Sequence, residues 1–307
     1  MDMSRPREVL PGRSYLITRR CTQRQFLMRP DAETNEAFIY CLAVAAKRYK
    51  IDILFTVAMS NHHHTGIFDA NGDYPAFLEY FHKLFAKCQN ALRGRWENFW
   101  SSEQTSVVRL VGAEDVLNKL VYAVSNPVEA ALVEYALQWP GVSSLRSMLE
   151  GRSLSAKRPV HFFRSEGGMP HSATLVFARP TEFQHLSERQ WTALVAERVK
   201  LREKKFRLQR AKRGQRPLGV RAILQQRWSS RPKSSEPRRT TSPRLAAFNK
   251  WRRQEALLEN KIFLRAYHEA RSAFLSGLRA VLFPEGTYWL KRFAHVACKE
   301  VMCPVVP

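Results

Sequence analysis

The chain has 307 residues, 45% of them hydrophobic and 25% charged, and 50 Lys and Arg against 27 Asp and Glu give a net charge of +23 and a pI near 10.3. That length suits one or two domains with a sizeable core, and the charge favours a polyanionic partner, because counterion release from phosphates drives association. With no run of about 18 uncharged apolar residues a membrane span is excluded; the opening residues lack the apolar stretch of a secretory signal and the five scattered cysteines argue against a disulfide framework, so a cytoplasmic location is expected.

In chain order, residues 14–21 (SYLITRRC) predict a first strand, and 33–49 carry apolar residues near a 3.6-residue period, which predicts a helix behind an acidic first turn. Residues 51–58 (IDILFTVA) and 64–68 (HTGIF) read as a hairpin through Met59, Ser60 and Asn61, and the turn cluster 69–73 leads into a helix over 74–92. A further strand is expected at 106–111 (SVVRLV), then a helix over 114–125 that the Asn126-Pro127 pair should end, because the residue before proline avoids the α region. The order β, α, β, β, α, β, α is that of a split βαβ sheet with helices on one face, an α+β fold.

Beyond about residue 155 the character changes. Residues 160–164 (VHFFR) and 173–178 (ATLVFA) suggest one more hairpin, 186–213 a long basic helix, 228–244 a flexible linker within 214–244, and 245–281 a second long helix. From 197 to 253 there are 20 Lys and Arg against 3 Asp and Glu, so most of the net charge sits here, the footprint of phosphate-backbone binding. His295, Cys298 and Cys303 lie close together but match no usual zinc spacing, and buried thiols are the preferred reading.

The candidate chemistry lies in two segments. At the start of a strand alternate side chains share a face, so His62 and His64 point one way and His63 the other, and two imidazoles can reach one ion. Tyr122 and Asn126, four apart, share one face of the helix. Arg19, Arg20 and Arg24, following the first strand, are candidate contacts to nucleic-acid phosphate. Trp96, Phe99 and Trp100 offer stacking surfaces for unpaired bases, with a core role as the safer reading.

VAMSNHHHTGIF, residues 57–68, resembles the Met-Pro-Asn-His-hydrophobic-His motif of the REP-associated and insertion-sequence-200-like single-tyrosine HUH transposases, and YAVSNPVEAALVEYALQWPGVSS, residues 122–144, is similar to that family's catalytic segment. The resemblance covers roughly residues 11–145. It implies a ferredoxin-like split βαβ HUH nuclease domain with an antiparallel sheet over 1–150, followed by a mainly helical basic C-terminal extension over 151–307. It further implies that Tyr122 is the nucleophile, that His62, His64 and Asn126 hold a divalent cation, Mg²⁺ or Mn²⁺, and that the substrate is single-stranded or hairpin DNA. A bacterial, DNA-associated protein is expected, with a homodimer left open. The sequence departs from the pattern at Ser60 (usually proline), at His63 (usually apolar) and at Glu129-Ala130-Ala131 (usually Arg-Ala-Gly). These departures leave room for a non-catalytic DNA-binding regulator derived from such an enzyme; an RNA-binding helical protein rests on the basic tail alone. Phe283-Pro284-Glu285-Gly286-Thr287-Tyr288 resembles the tail of longer members, with no chemistry attached to it.

Overall fold

The computed structural model describes residues 6–233 and 243–300. The fold is α+β, built on a five-stranded, mostly antiparallel sheet with helices on both faces. Strand β1 (Arg13–Arg20) leads through α1 (Ala32–Tyr49) to the hairpin β2 (Ile51–Met59) and β3 (His62–Asp69), and α2 (Tyr74–Arg93) then leads to β4 (Ser106–Leu110). The sheet order is β2, β3, β1, β4, with a two-residue edge strand β7 (Leu245–Ala246) beside β4. Both β1 and β2 run antiparallel to β3, so they are parallel to each other with β3 between them.

Local chemistry sets the element ends. Asp31 caps α1 by accepting from the Thr34 N–H at 2.9 Å, and Lys50 closes the helix in the left-handed region (φ 52°). The β2–β3 turn is only Ser60-Asn61, because Met59 pairs with His62. Asp69 ends β3 by accepting four backbone N–H groups from Asn71 to Tyr74, which orders the entry to α2. Gly66 is required at the middle of β3: a Cβ there would stand 2.2 Å from the Phe55 ring, which crosses the strand.

Strand alternation divides the core in two. Tyr15, Ile17, His63 and Ile67 face α1 and α2, where Phe38, Phe81 and Phe85 pack edge to face and stacked. Leu16, Val57, Met59, Val108 and Leu110 face α3 (Ala113–Glu129) and the long helix α5 (Glu188–Lys212) through Val116, Leu120, Val124, Trp191 and Val195. Helices on one face only were expected; α3 and α5 cover the second face because each carries an apolar stripe that must be buried.

Four other boundaries differ from the sequence expectation. Helix α3 runs through Asn126-Pro127 to Glu129, since Pro127 and Val128 are buried on the sheet, and the carbonyls of its last turn are taken up beyond it, by Ala130 N–H on Asn126 and Leu132 N–H on Pro127. The small hairpin is β5 (Leu154–Lys157) with β6 (Ser172–Leu175), not 160–164: the carbonyl of Pro159 accepts from Phe162 and Phe163, which bends that segment into a turn and seats Phe163 5.2 Å from Tyr40. Residues 245–246, expected to be helical, pair with β4 instead, and the helix α7 (Lys250–Leu275) starts only at Lys250, capped by Asn249. Within 214–244 the short helix α6 (Val220–Gln225) forms, packed through the buried Ile223; part of the expected linker lies outside the described residues, as does Cys303 of the considered zinc cluster. Between α3 and β5 lies α4 (Ser144–Glu150), and the chain ends through α7 (Lys250–Leu275) and α8 (Trp289–Phe293). No helix among the described residues is long and apolar enough to cross a membrane.

Candidate active site

The β1 register is what sorts the site residues. Thr18 pairs with His64 and Arg20 with His62, so these four side chains share the α3 face of the sheet, whereas Arg19 pairs with His63 and both turn to the other face. From above, α3 brings Tyr122 and Asn126 down on the same point. Asn126 Nδ2 lies 3.2 Å from His64 Nε2, the Tyr122 and His64 rings meet edge to face at 5.3 Å between centroids, and the His62 and His64 rings stand 4.9 Å apart. Tyr122, His62, His64 and Asn126 therefore form one cluster. Their union depends on the helix continuing through Pro127, because Asn126 sits in its last turn.

Each imidazole is oriented from behind. Thr18 Oγ1 lies 2.8 Å from His64 Nδ1, and Asn61 Oδ1 lies 2.7 Å from His62 Nδ1, so ligand bonds fall to the Nε2 atoms. Burial, aided by Arg20 and Lys119, pushes the His64 pKa down to about 3; burial with His64, Arg20 and Arg24 nearby holds His62 well below the usual imidazole range. Both rings are thus neutral at physiological pH, the form in which histidine binds metal. A cation here would draw on two imidazoles and one amide oxygen, obtained by turning the Asn126 amide, with water and phosphate oxygens completing the shell. Two imidazole nitrogens with oxygen donors suit a divalent ion that tolerates nitrogen, Mn²⁺ better than Mg²⁺, and Nδ1 atoms already engaged are the arrangement a ligating histidine needs. Among the described residues no group of three or more His, Cys, Asp or Glu side chains gathers as a metal site.

His63 is fully buried on the opposite face and is satisfied there. Its Nδ1 lies 2.9 Å from Thr65 Oγ1 and its Nε2 3.0 Å from His82 Nε2, inside a ring of Phe38, Phe81 and Trp100. A polar residue at this position is therefore accommodated by a second polar residue supplied by α2.

Two cations that sequence reasoning did not single out complete the cluster. Lys119 Nζ stands 5.6 Å from the Tyr122 ring centre and the Arg202 guanidinium 5.4 Å. Lys119 was recoverable in principle, being three residues before Tyr122 on the same helix face. Arg202 was not: it arrives from α5, 80 residues on, where it also pairs with Glu129 at 3.2 Å and stacks on Phe206. Arg24 reaches the rim on the loop 21–28, which is laid over the hairpin turn by Cys21 N–H on Asn61 O and Met28 N–H on Ser60 O, with Gln23 and Arg24 both at positive φ (48° and 58°). Arg19 is not brought to the histidines; it donates to the carbonyls of Ser101 and Glu103 and to Thr105 Oγ1, fastening the segment before β4. Phe99 and Trp100 are core residues, while Trp96 is 97% exposed.

The segment 139–144 (WPGVSS) closes the flank of the site. Trp139 Nε1 donates to Ala58 O at 3.0 Å, Ala58 N–H to Val142 O, and Thr56 N–H to Ser144 Oγ, so it lies along β2 as a partial extra strand. Gly141 has no room for a Cβ, which would meet the Trp139 indole at 2.5 Å and Ala58 O at 2.8 Å.

No family model and no curated protein matches the chain. Among solved structures the chain is similar to one described as the REP-associated tyrosine transposase bound to a REP hairpin, at 16% identity over 54% of this chain and 93% of that one, with a TM-score of 0.41, a distant structural similarity.

Proposed function

We propose that the protein is a metal-dependent, single-tyrosine DNA nuclease and strand transferase acting on single-stranded or hairpin DNA. The observation that carries this reading is the convergence of Tyr122 and Asn126 from α3 with His62 and His64 from β3 on one sheet face, rimmed by Arg20, Arg24, Lys119 and Arg202. The strand order and the crossover of α1 between parallel β1 and β2 support reading residues 1–150 as a ferredoxin-like split βαβ unit that does the chemistry. The basic helices of 151–307 hold flanking DNA.

In this mechanism Tyr122 Oη gives up its proton to solvent and attacks a phosphorus of the DNA backbone. The P–O3′ bond breaks, the 3′ oxygen leaves as a hydroxyl on taking up a proton, and the 5′ phosphate stays on the tyrosine as a phosphodiester. Attack by a 3′-hydroxyl of another strand reverses the step and joins the ends without ATP. A divalent cation, Mg²⁺ or Mn²⁺, held by His62, His64 and Asn126 would polarise the scissile phosphate when bound. Lys119 and Arg202, both within 6 Å of the Tyr122 ring centre, position a phosphate against Tyr122 Oη and offset the charge that builds there.

The test is incubation of the protein with labelled hairpin oligonucleotides from its own genomic flanks, with Mn²⁺ or with EDTA, on a denaturing gel. A slow band that needs metal and is absent in Tyr122→Phe is the expected result. A second reading, a DNA-binding regulator without catalysis, is left room by the departures from the family pattern at Ser60, His63 and Glu129-Ala130-Ala131. DNA binding indifferent to EDTA, with no slow band, would establish it instead.

A further inference from the structure

Helix α7 buries one face and presents an apolar stripe on another. Its buried positions, Ala256, Phe263 and Ala270, recur every seven residues. Trp251, Leu258 and Ile262, spaced by seven and four, lie roughly 130° around the helix from them and are 78%, 58% and 61% exposed. Glu255, Arg265 and Glu269 fall on the same stripe and are exposed as well, and Arg265 Nε pairs with Glu269 at 2.9 Å, one turn on. Single exposed apolar residues are ordinary on any soluble protein, but three large ones in line on one helix form a contact surface.

The charges decide what covers it. Residues 254–270, although they lie in the more basic half of the chain, hold three carboxylates, Glu255, Glu259 and Glu269, against Lys261 and Arg265. Two of those carboxylates stand on the stripe itself, where a nucleic acid would bring phosphates of the same sign. A second α7 running the opposite way fits instead. A two-fold axis level with Asn260 sets Leu258 against Ile262 of the second copy, Glu255 against its Arg265, and the Trp251 indole against its Glu269. Symmetry repeats each contact, so the apolar pair lies at the centre with opposite charges facing each other on both sides. Parallel pairing would set Glu255 on Glu255 and Arg265 on Arg265, and like-charge repulsion disfavours it.

We infer that the protein associates through α7 into an antiparallel homodimer, with Trp251, Leu258 and Ile262 as the apolar seam and Glu255–Arg265 pairs flanking its centre. The seam is a single helix pair, at the small end of specific interfaces (below roughly 1,200 Å² in total), so association is weak and depends on concentration. The inference does not rest on the chemistry at Tyr122.

The experiment is sedimentation velocity of the full, nuclease-treated chain from low to high micromolar concentration. A reversible shift from monomer to dimer is expected. Glu255→Arg sets like charges against each other twice by symmetry and should weaken association at least about tenfold. The double variant Glu255→Arg/Arg265→Glu restores opposite signs and should recover most of that loss. Leu258→Ala should also weaken association about tenfold with an unchanged far-ultraviolet spectrum, since the side chain is exposed in the monomer. A monomer at every concentration overturns the inference, as does a dimer that Glu255→Arg leaves as tight as wild type or that the double variant fails to restore. A monomer whose binding to a DNA hairpin weakens in Trp251→Ala overturns it too, and assigns the stripe to nucleic acid.

Discussion

The buried histidine pair His63–His82 gives the sharpest stability prediction. Replacing His63 with Leu removes the contacts at 2.9 Å to Thr65 and at 3.0 Å to His82. Thr65 keeps a partner, since its Oγ1 also lies 2.8 Å from Thr56 Oγ1, but His82 Nε2 is left in an apolar shell of Phe81 and Trp100. An orphaned buried polar group costs about 1–3 kcal/mol, and His82→Leu should cost a similar amount by orphaning His63 Nε2. The double variant removes both halves of the pair, so its loss should fall short of the sum by roughly 1–2 kcal/mol. Urea unfolding at pH 7.5 of wild type, both singles and the double measures the coupling directly. Strict additivity would refute the pairing. The same variants carry a pH signature: burial pushes His82 down to about 3, below the value of about 6.5 expected for the unfolded chain, so the unfolded state binds the proton first. Stability should therefore be full above about pH 6.5 and fall by up to about 1.4 kcal/mol per pH unit below it, and the double variant should lose part of that slope.

Asp31→Asn should cost about 1 kcal/mol at neutral pH through lost pairing with Arg93 and the loss of a negative charge at the helix N-terminus. Burial raises the Asp31 carboxyl, but hydrogen bonds from Thr34 and Arg93 outweigh it and hold it below the usual range; the stabilisation is present above about pH 4 and drains as pH falls through the folded value, so wild type and variant should converge in acid melts. Gly66→Ala places a methyl 2.2 Å from the fully buried Phe55 ring and should destabilise by about 1–3 kcal/mol, with Phe55→Leu restoring most of it in a double-variant urea curve. Arg202→Ala should lower the rate of strand cleavage at least tenfold while leaving the far-ultraviolet spectrum unchanged, because the side chain touches Tyr122, Glu129 and Phe206 at the edge of the core.

Much of the central sheet was legible because its strands are short apolar runs between polar turns: the boundaries of β1, α1, β2 and α2 fall within a residue or two of the sequence reading. The alternation in His62-His63-His64 also gave the correct faces, since a strand has a period of two whatever its neighbours do. What failed were positions where tertiary burial overrides a local rule. Pro127 does not stop α3 because Val128 beyond it is wholly buried, and 160–164 looked strand-like although Pro159 bends it and leaves Val160 91% exposed. The pairing of Leu245-Ala246 with β4 is a contact across more than 130 residues, and nothing in two residues announces it. Of the three arginines at the end of β1 and just beyond it, strand parity separates Arg20, on the histidine face, from Arg19, by the same period of two that sorts the histidines. Arg202 joins the site only through the packing of α5 on α3, which no local pattern encodes.

The central claim is that Tyr122 is the nucleophile, and covalent trapping tests it most directly. The protein is incubated with Mn²⁺ and a nicked hairpin oligonucleotide whose released 3′ end diffuses away, then digested with protease and nuclease and mapped by mass spectrometry. The account predicts a nucleotide phosphate on the peptide containing Tyr122, lost in Tyr122→Phe and in His64→Ala. A nucleotide on any other residue, or none on a protein that still binds the hairpin, would contradict it.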